Sequence, residues 1–226
     1  MSDLDVAAGG TTVPLKGIRR TAARQMIAAW EAPSFQLAVE VDMTAALGVK
    51  QVLSGATVTD HIIRSCALAL GRHPSVNAWY GDMSTTTFER VNIGIAVATE
   101  AGLMVPVIHD LAAAGLSVIA DKRRDVVERA RLGKLGMPDV TGGTFTISNL
   151  GMLGIDRFNA ILNVPQVAIL AVGSTRPRYV LADGEAMWRE TAEFTLTCDH
   201  RAVDGATGAR FLGEIKNLVE QAPLAD

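Results

Sequence analysis

Cysteine, aromatic side chains, net charge and long apolar runs are all scarce in this chain of 226 residues. Each scarcity excludes something. Two cysteines, Cys66 and Cys198, are too few for a disulfide framework, so a reducing, cytoplasmic setting is expected. Aromatic residues make up 5%, which leaves the core to Ala, Val, Leu and Ile. A net charge of −3 does not supply the basic field of a duplex-binding protein, so no nucleic-acid partner is expected. No apolar run approaches the roughly 18 residues of a membrane span. The opening MSDLDVAAGG does not follow the basic-then-apolar order of a secretory leader. Four histidines are scattered, with no Cys-x-x-Cys or His-Glu-x-x-His spacing, so no metal site is expected. What is present is 49% hydrophobic residue, in a chain long enough to bury about 70% of its unfolded surface. That describes a soluble globular protein.

Residues 1–12 are small and polar and read as a flexible arm or cloning remnant, and 13–226 as one catalytic-sized domain. The pattern over 16–30 is helical, with Ile18, Ala22, Met26 and Ala29 on one stripe, and Pro33 ends it. Residues 34–42 alternate as a strand does. Thr59 or Asp60 is placed to cap a helix running to Leu70, with Ile62, Ile63, Cys66, Ala67 and Leu70 inward. Strands are expected at 85–88, 91–98 and 103–108, and a helix with a charged outer face at 116–132. Three apolar runs, 143–148, 166–172 and 193–198, read as buried strands. A last helix over 205–220 carries Phe211, Leu212, Ile215, Leu218 and Val219 at helical spacing. Strands and helices mixed with hairpin-like connections predict an α+β fold in one domain.

Two stretches carry candidate chemistry. In 194–205, FTLTCDHRAVDG, a strand ends at His200, and Asp204 and Gly205 precede the last helix. His200 is either a satisfied surface imidazole or a general base, since an ordinary imidazole pKa of about 6.5 suits that task near neutral pH. Asp204 is either the helix N-cap or a supporting carboxylate. In 142–163, GGTFTISNLGMLGIDRFNAILN, a strand ends at Ser148 before a glycine-rich turn. Ser148 is a turn residue or a hydroxyl able to donate to a developing oxyanion. The Gly-x-Ser-x-Gly pattern of a nucleophile elbow is absent around it.

Taken together, four segments resemble the C-terminal catalytic domain of the dihydrolipoamide acyltransferases, the E2 components of 2-oxo acid dehydrogenase complexes. They are KGIRRTAARQM (16–26), GIAVATEAGLMVPVIHD (94–110), GGTFTISNLGMLGIDRFNAILNVPQVAILAVG (142–173) and CDHRAVDGATGARFL (198–212). The resemblance implies a chloramphenicol acetyltransferase-like fold: a central mixed sheet flanked by helices, forming trimers. It implies coenzyme A as a substrate and lipoamide carried on a domain absent from this chain. It also implies homotrimers assembling into a 24- or 60-subunit core of closed symmetry, and E1 and E3 components bound through domains absent here. By the resemblance His200 is the base, Asp204 its supporting carboxylate and Ser148 the oxyanion donor, with His and Ser contributed by different subunits. No lysine stands in a lipoylation-type setting, so a cut-down core is expected. The segment 42–59 is shorter than the helical region usual in the family. GSTRPRY (173–179) resembles branched-chain members and SNLGMLGIDRFNAI (148–161) pyruvate members, which leaves the acyl group open.

Other readings stand beside this one. Asp204 fixes local geometry or pairs with an arginine, with Arg19, Arg20 and Arg201 as candidates. His61 and His73 read as structural; His109–Asp110 could form a base with its orienter. Cys198 shares strand parity with His200 but reads as a small buried thiol. The run 121–131, DKRRDVVERAR, reads as a solvated helix face with i,i+4 pairs Arg124–Glu128 and Asp125–Arg129; binding of coenzyme A phosphates is its sharper reading, for which Lys16, Arg19, Arg20 and Arg24 compete. A mainly structural oligomeric scaffold and a small-molecule acetyltransferase of the chloramphenicol type are the alternative functions.

Overall fold

A computed structural model describes residues 12–182 and 184–221, so all but the last residue of the expected N-terminal arm lies outside the described residues. In chain order the elements are α1 (Gly17–Trp30), β1 (Ser34–Asp42), the one-turn helices α2 (Thr44–Leu47) and α3 (Val49–Val52), α4 (Val58–Arg72), β2 (Ala78–Gly81), β3 (Ser84–Thr87), β4 (Ile93–Ile95), β5 (Val97–Thr99), β6 (Gly102–Met104), β7 (Val107–Ile108), α5 (Leu116–Arg131), β8 (Phe145–Asn149), β9 (Ala168–Val172), β10 (Arg176–Ala182), β11 (Glu185–Asp199) and α6 (Gly205–Glu220).

A mixed, seven-stranded sheet runs in the order β1-β11-β9-β8-β4-β7, with β10 pairing β11. The β4–β8 and β8–β9 pairs are parallel; β1, β10 and β9 each run antiparallel to β11. The strand expected over 193–198 is the buried end of a much longer one. Its first half pairs with β10 at the margin of the sheet as the β10–β11 hairpin, where Tyr179 packs on Trp188 at 5.4 Å between ring centroids. That half was missed because its residues alternate without a core to face.

Both sheet faces are covered where β11 is central, so its residues are buried on both parities. Ala192, Phe194, Leu196 and Cys198 join the main core with α4 and α6 residues such as Ile62, Ile63, Leu70, Phe211 and Ile215. Thr191, Thr195, Thr197 and Asp199 are buried on the opposite face, over which Leu162 packs on Ala32 and Ile169.

The cap of α4 lies earlier than expected, two residues before Thr59 and three before Asp60. Thr57 is the N-cap, and the Asp60 carboxylate accepts from its N–H at 2.8 Å and its hydroxyl at 2.7 Å. Asp60 is fully buried and is met by the Arg123 Nε at 2.5 Å and Nη2 at 3.1 Å. One arginine of the charged α5 run therefore points inward; on the outer side Asp125 pairs with Arg129 as expected, while Arg124 takes Asp121 instead of Glu128. The α1 stripe also departs from expectation. Of Ile18, Ala22, Met26 and Ala29 only Ala29 is buried; β6 reaches the start of the helix, where Gly102 lies beside Ile18, but Ile18 and Met26 stay exposed.

Candidate active site

The end of β11 and the start of α6 position His200. Its N–H donates to the Pro33 carbonyl at 2.9 Å, and its exposed ring leans on Phe35, 4.6 Å between centroids. Phe35 is the rung partner of Cys198, and a Cβ placed on Gly208 of α6 would touch both. The imidazole therefore belongs to the helix-covered face of the sheet.

Asp204 is the N-cap of α6 and accepts from the Thr207 N–H at 2.7 Å. That backbone hydrogen bond, then the Thr207 side chain, and then the nearby charges of Arg210 and His200, hold its carboxyl below the usual carboxylate range. Of the two readings offered for Asp204, fixing local geometry is the one this chain forms. Among the described residues Asp204 forms no ion pair, and neither Arg19 nor Arg20 reaches it. Arg201 instead grips Asp199, Nη2 to Oδ2 at 2.6 Å and Nε to Oδ1 at 2.9 Å. The physical reason is local: an N-cap carboxylate is aimed at its own helix's free N–H groups, while Asp199 sits two residues from Arg201. Sequence reasoning passed over Asp199. Its parity with Thr195 and Thr197 was the available signal, since it marks a carboxylate going under the sheet that needs a cation.

Ser148 stands at the end of β8, half-buried. The turn after it is tied down by short contacts. Asn149 Oδ1 accepts from the Gly151 N–H at 2.9 Å, and the Ser174 hydroxyl reaches the carbonyls of Gly151 and Ile155, both at 3.0 Å. Gly173 permits this approach: a Cβ there would overlap the Asp156 carbonyl.

Within one chain Ser148 and His200 do not meet. Ser148 pairs with Ala171, and Ala171 with Thr195, so His200 is five positions further along β11 and two strands across. At ~3.3 Å per residue and ~4.8 Å per strand the two are on the order of 15–20 Å apart. They also face opposite sides, since Ser148 shares its face with Thr195 and Asp199, whereas His200 is over Phe35.

The remaining candidates are placed plainly. Cys198 is fully buried, and burial, then the Asp199 charge, push its thiol up to about 12; it cannot supply a thiolate near neutral pH. His61 is buried and meets the Val219 carbonyl at 3.1 Å. His73 packs edge-on against Phe211. His109 meets the Pro138 carbonyl at 3.0 Å, and Asp110 pairs with Arg90 at 3.6 Å, so the two do not form a base with its orienter. No cluster of three or more potential metal ligands occurs among the described residues, and no helix among them is long and apolar enough to cross a membrane.

Residues 7–225 match the family model of the 2-oxoacid dehydrogenases acyltransferase (catalytic domain). The chain is 36% identical to the dihydrolipoyllysine-residue acetyltransferase component of the mitochondrial pyruvate dehydrogenase complex of Caenorhabditis elegans, over 93% of this chain and 45% of that protein. It is 38% identical to the Dictyostelium discoideum counterpart, over 93% of this chain and 34% of that one. It thus spans less than half the length of these curated relatives. Among solved structures it resembles the dihydrolipoamide acetyltransferase of Azotobacter vinelandii, with a TM-score of 0.89 and 30% identity over 98% of this chain and 96% of that one. That enzyme was studied for the roles of a serine, a histidine 52 residues after it and an asparagine 4 further on in its catalytic mechanism. The cubic core of a pyruvate dehydrogenase multienzyme complex is similar to the same extent, TM-score 0.89 at 30% identity over 98% of this chain and 96% of that one. A chloramphenicol acetyltransferase shares the fold alone, with TM-score 0.61 at 11% identity over 87% of this chain and 94% of that one.

Proposed function

Since the chain belongs to the family of 2-oxoacid dehydrogenase acyltransferase catalytic domains, we propose that it transfers an acyl group between dihydrolipoamide and coenzyme A, with 13–226 as the catalytic domain. The observation that carries this reading is a spacing. Ser148, His200 and Asp204 stand at the separations, 52 and 4, of the serine, histidine and asparagine of the Azotobacter enzyme. Asp204 replaces the asparagine, and both residue types cap helices well.

His200 is the base. A thiol with pKa near 8.5 is only a few per cent thiolate at neutral pH. As the sulfur of coenzyme A attacks the acyl-dihydrolipoamide carbonyl, the imidazole takes its proton, a gain of about 10²–10⁴. The carbonyl oxygen becomes an oxyanion that accepts a hydrogen bond from the Ser148 hydroxyl, a contribution of roughly 10²–10³. When the tetrahedral centre collapses, its bond to the lipoyl sulfur breaks, and the imidazolium returns its proton to that sulfur. No acyl-enzyme forms. Holding the two thiols end to end makes the step effectively unimolecular.

The opposite-face placement of Ser148 and His200 supports a site built between neighbouring copies, His200 from one and Ser148 from the next. A homotrimer supplies that head-to-tail contact, and likeness to a cubic core supports further assembly into a larger shell. E1 and E3 components bound through other domains, and a lipoamide-bearing domain, belong to the same proposal. Both curated relatives above serve pyruvate dehydrogenase complexes, which favours acetyl over a branched-chain group. A cytoplasmic setting is supported by two free, buried cysteines, although several relatives are mitochondrial.

The test is turnover with free dihydrolipoamide and acetyl-, isobutyryl- or succinyl-coenzyme A. Acetyl is expected to lead. His200→Ala is expected to remove most transfer while the protein stays folded and assembled, and Ser148→Ala to lower kcat with KM nearly unchanged. Near-normal turnover in an assembled His200→Ala protein would overturn the reading; an assembled wild-type core that turns nothing over would leave only the scaffold.

A further inference from the structure

The turn that presents His200 is held from beneath by an ion pair between a buried carboxylate and a partly exposed arginine, which the proposed chemistry does not use. Asp199 is 1% exposed. Its N–H donates to the Val167 carbonyl at 2.9 Å, and its own carbonyl accepts from Val203 at 2.9 Å and Ala202 at 3.1 Å. Its carboxylate accepts from the Arg201 main-chain N–H at 3.0 Å and from Nε and Nη2 of the same residue. The other side of that guanidinium lies over the Tyr80 ring, 4.1 Å from its centroid, and Tyr80 is anchored by its N–H to the Pro165 carbonyl at 2.8 Å.

We propose that Asp199 and Arg201, steadied by Tyr80, are positioning residues: a charge-neutral clamp that fixes the main chain on both sides of His200 and thereby aims its imidazole. The inference rests on the reading of His200 as the base. Burying a carboxylate against an arginine is a poor way to gain stability, because its desolvation offsets much of the attraction. It is a good way to fix a direction, because the planar fork of arginine matches a carboxylate in one orientation. Here three donor groups of Arg201 converge on one carboxylate, and the residue between the two partners is His200. Neutrality matters as much as geometry. The two charges of the pair oppose each other; the other charged or titratable groups in reach are Asp204 on α6, which interacts with His200 and with Arg210, and Glu31 and Tyr80 on the α1 and β2 side, which interact with Arg201.

Arg201→Lys keeps the charge and loses the fork. It is expected to lower kcat about tenfold or more, as misaimed groups do, with KM for both thiol substrates and the midpoint of the activity–pH profile little changed. Asp199→Asn is expected to lower kcat similarly and to move that midpoint towards acid, since Arg201 then faces the imidazole uncompensated. The double variant D199N/R201Q restores neutrality, so the midpoint returns while kcat stays low. Tyr80→Leu removes the outer support without unpairing a buried charge, and lowers kcat by roughly twofold to fivefold with KM unchanged. Each protein is checked for melting temperature and assembly. A purely structural pair would lower melting temperature and leave kcat and pH midpoint as in wild type, and that result overturns the clamp. So does a rise in KM in place of the fall in kcat. His200→Ala is assayed alongside: if it is fully active, the base reading itself fails, whereas an inactive His200→Ala beside a normal Arg201→Lys rejects the clamp alone.

Discussion

A buried imidazole far from the candidate site gives the fold a measurable pH response. His61 is packed between α4 and the end of α6, where desolvation outweighs its hydrogen bond to Val219 and, with the Arg64 charge, holds it below the ordinary histidine value. The sign follows directly. In the unfolded chain His61 takes up a proton near its ordinary pKa of about 6.5, and in the folded chain it resists. Stability is therefore unaffected above that pH and declines below it, by at most ~1.4 kcal/mol per pH unit. Denaturant unfolding of wild type and His61→Gln at neutral and mildly acidic pH checks this: the wild type is expected to lose more on acidification. The residue scale also shows what sequence could and could not reveal of the site. His200 and Ser148 are legible as candidates because motif and spacing are linear properties. Asp199 is not, because its importance arises only when the turn folds Arg201 back onto it. Arg201 was one of three candidate partners for Asp204 for the same reason: proximity along the chain does not say which carboxylate a helix N-terminus has already claimed.

At the level of elements, two devices hold the secondary structure in place. The first is the Asp60–Arg123 pair between α4 and α5. Arg123→Ala leaves a fully buried carboxylate, still facing Thr57, without its arginine, and the loss is expected to be about 3–5 kcal/mol. Calorimetry or denaturant titration measures it, and a double variant that also replaces Asp60 is expected to recover part of the loss. The second is the crossing of the turn after β8 over the end of β9, possible only because Gly173 has no side chain. Gly173→Ala forces Asp156 or the strand aside and is expected to destabilise by about 3 kcal/mol or more, read as a lower melting temperature and loosened protection of residues 150–156 in hydrogen exchange. Elements with a core to face were readable: β1 and α6 fall where alternation and helical spacing put them. The β10–β11 hairpin, α2 and α3 were not, since exposed strands and single-turn helices carry too few buried positions to impose a period. The α1 stripe comes from the same periodicity, which records that a face is apolar and not what covers it.

For the whole molecule, the consequence of separated groups is a complementation experiment. His200→Ala and Ser148→Ala proteins, each nearly inactive, are unfolded together, mixed in equal amounts and reassembled. In a head-to-tail ring each contact joins the base of one copy to the hydroxyl of the next, so about one contact in four is intact after random mixing. About a quarter of wild-type turnover is expected to return; a site built within one chain would return nothing. The sheet itself enforces this logic. With the imidazole on one surface of a rigid, two-sided slab and the alcohol on the other, no breathing of a lone subunit can unite them. On the proposed reading, newly made copies are inert toward activated thioesters until they find neighbours, and dilution below the association threshold is expected to silence a population in which every molecule is intact.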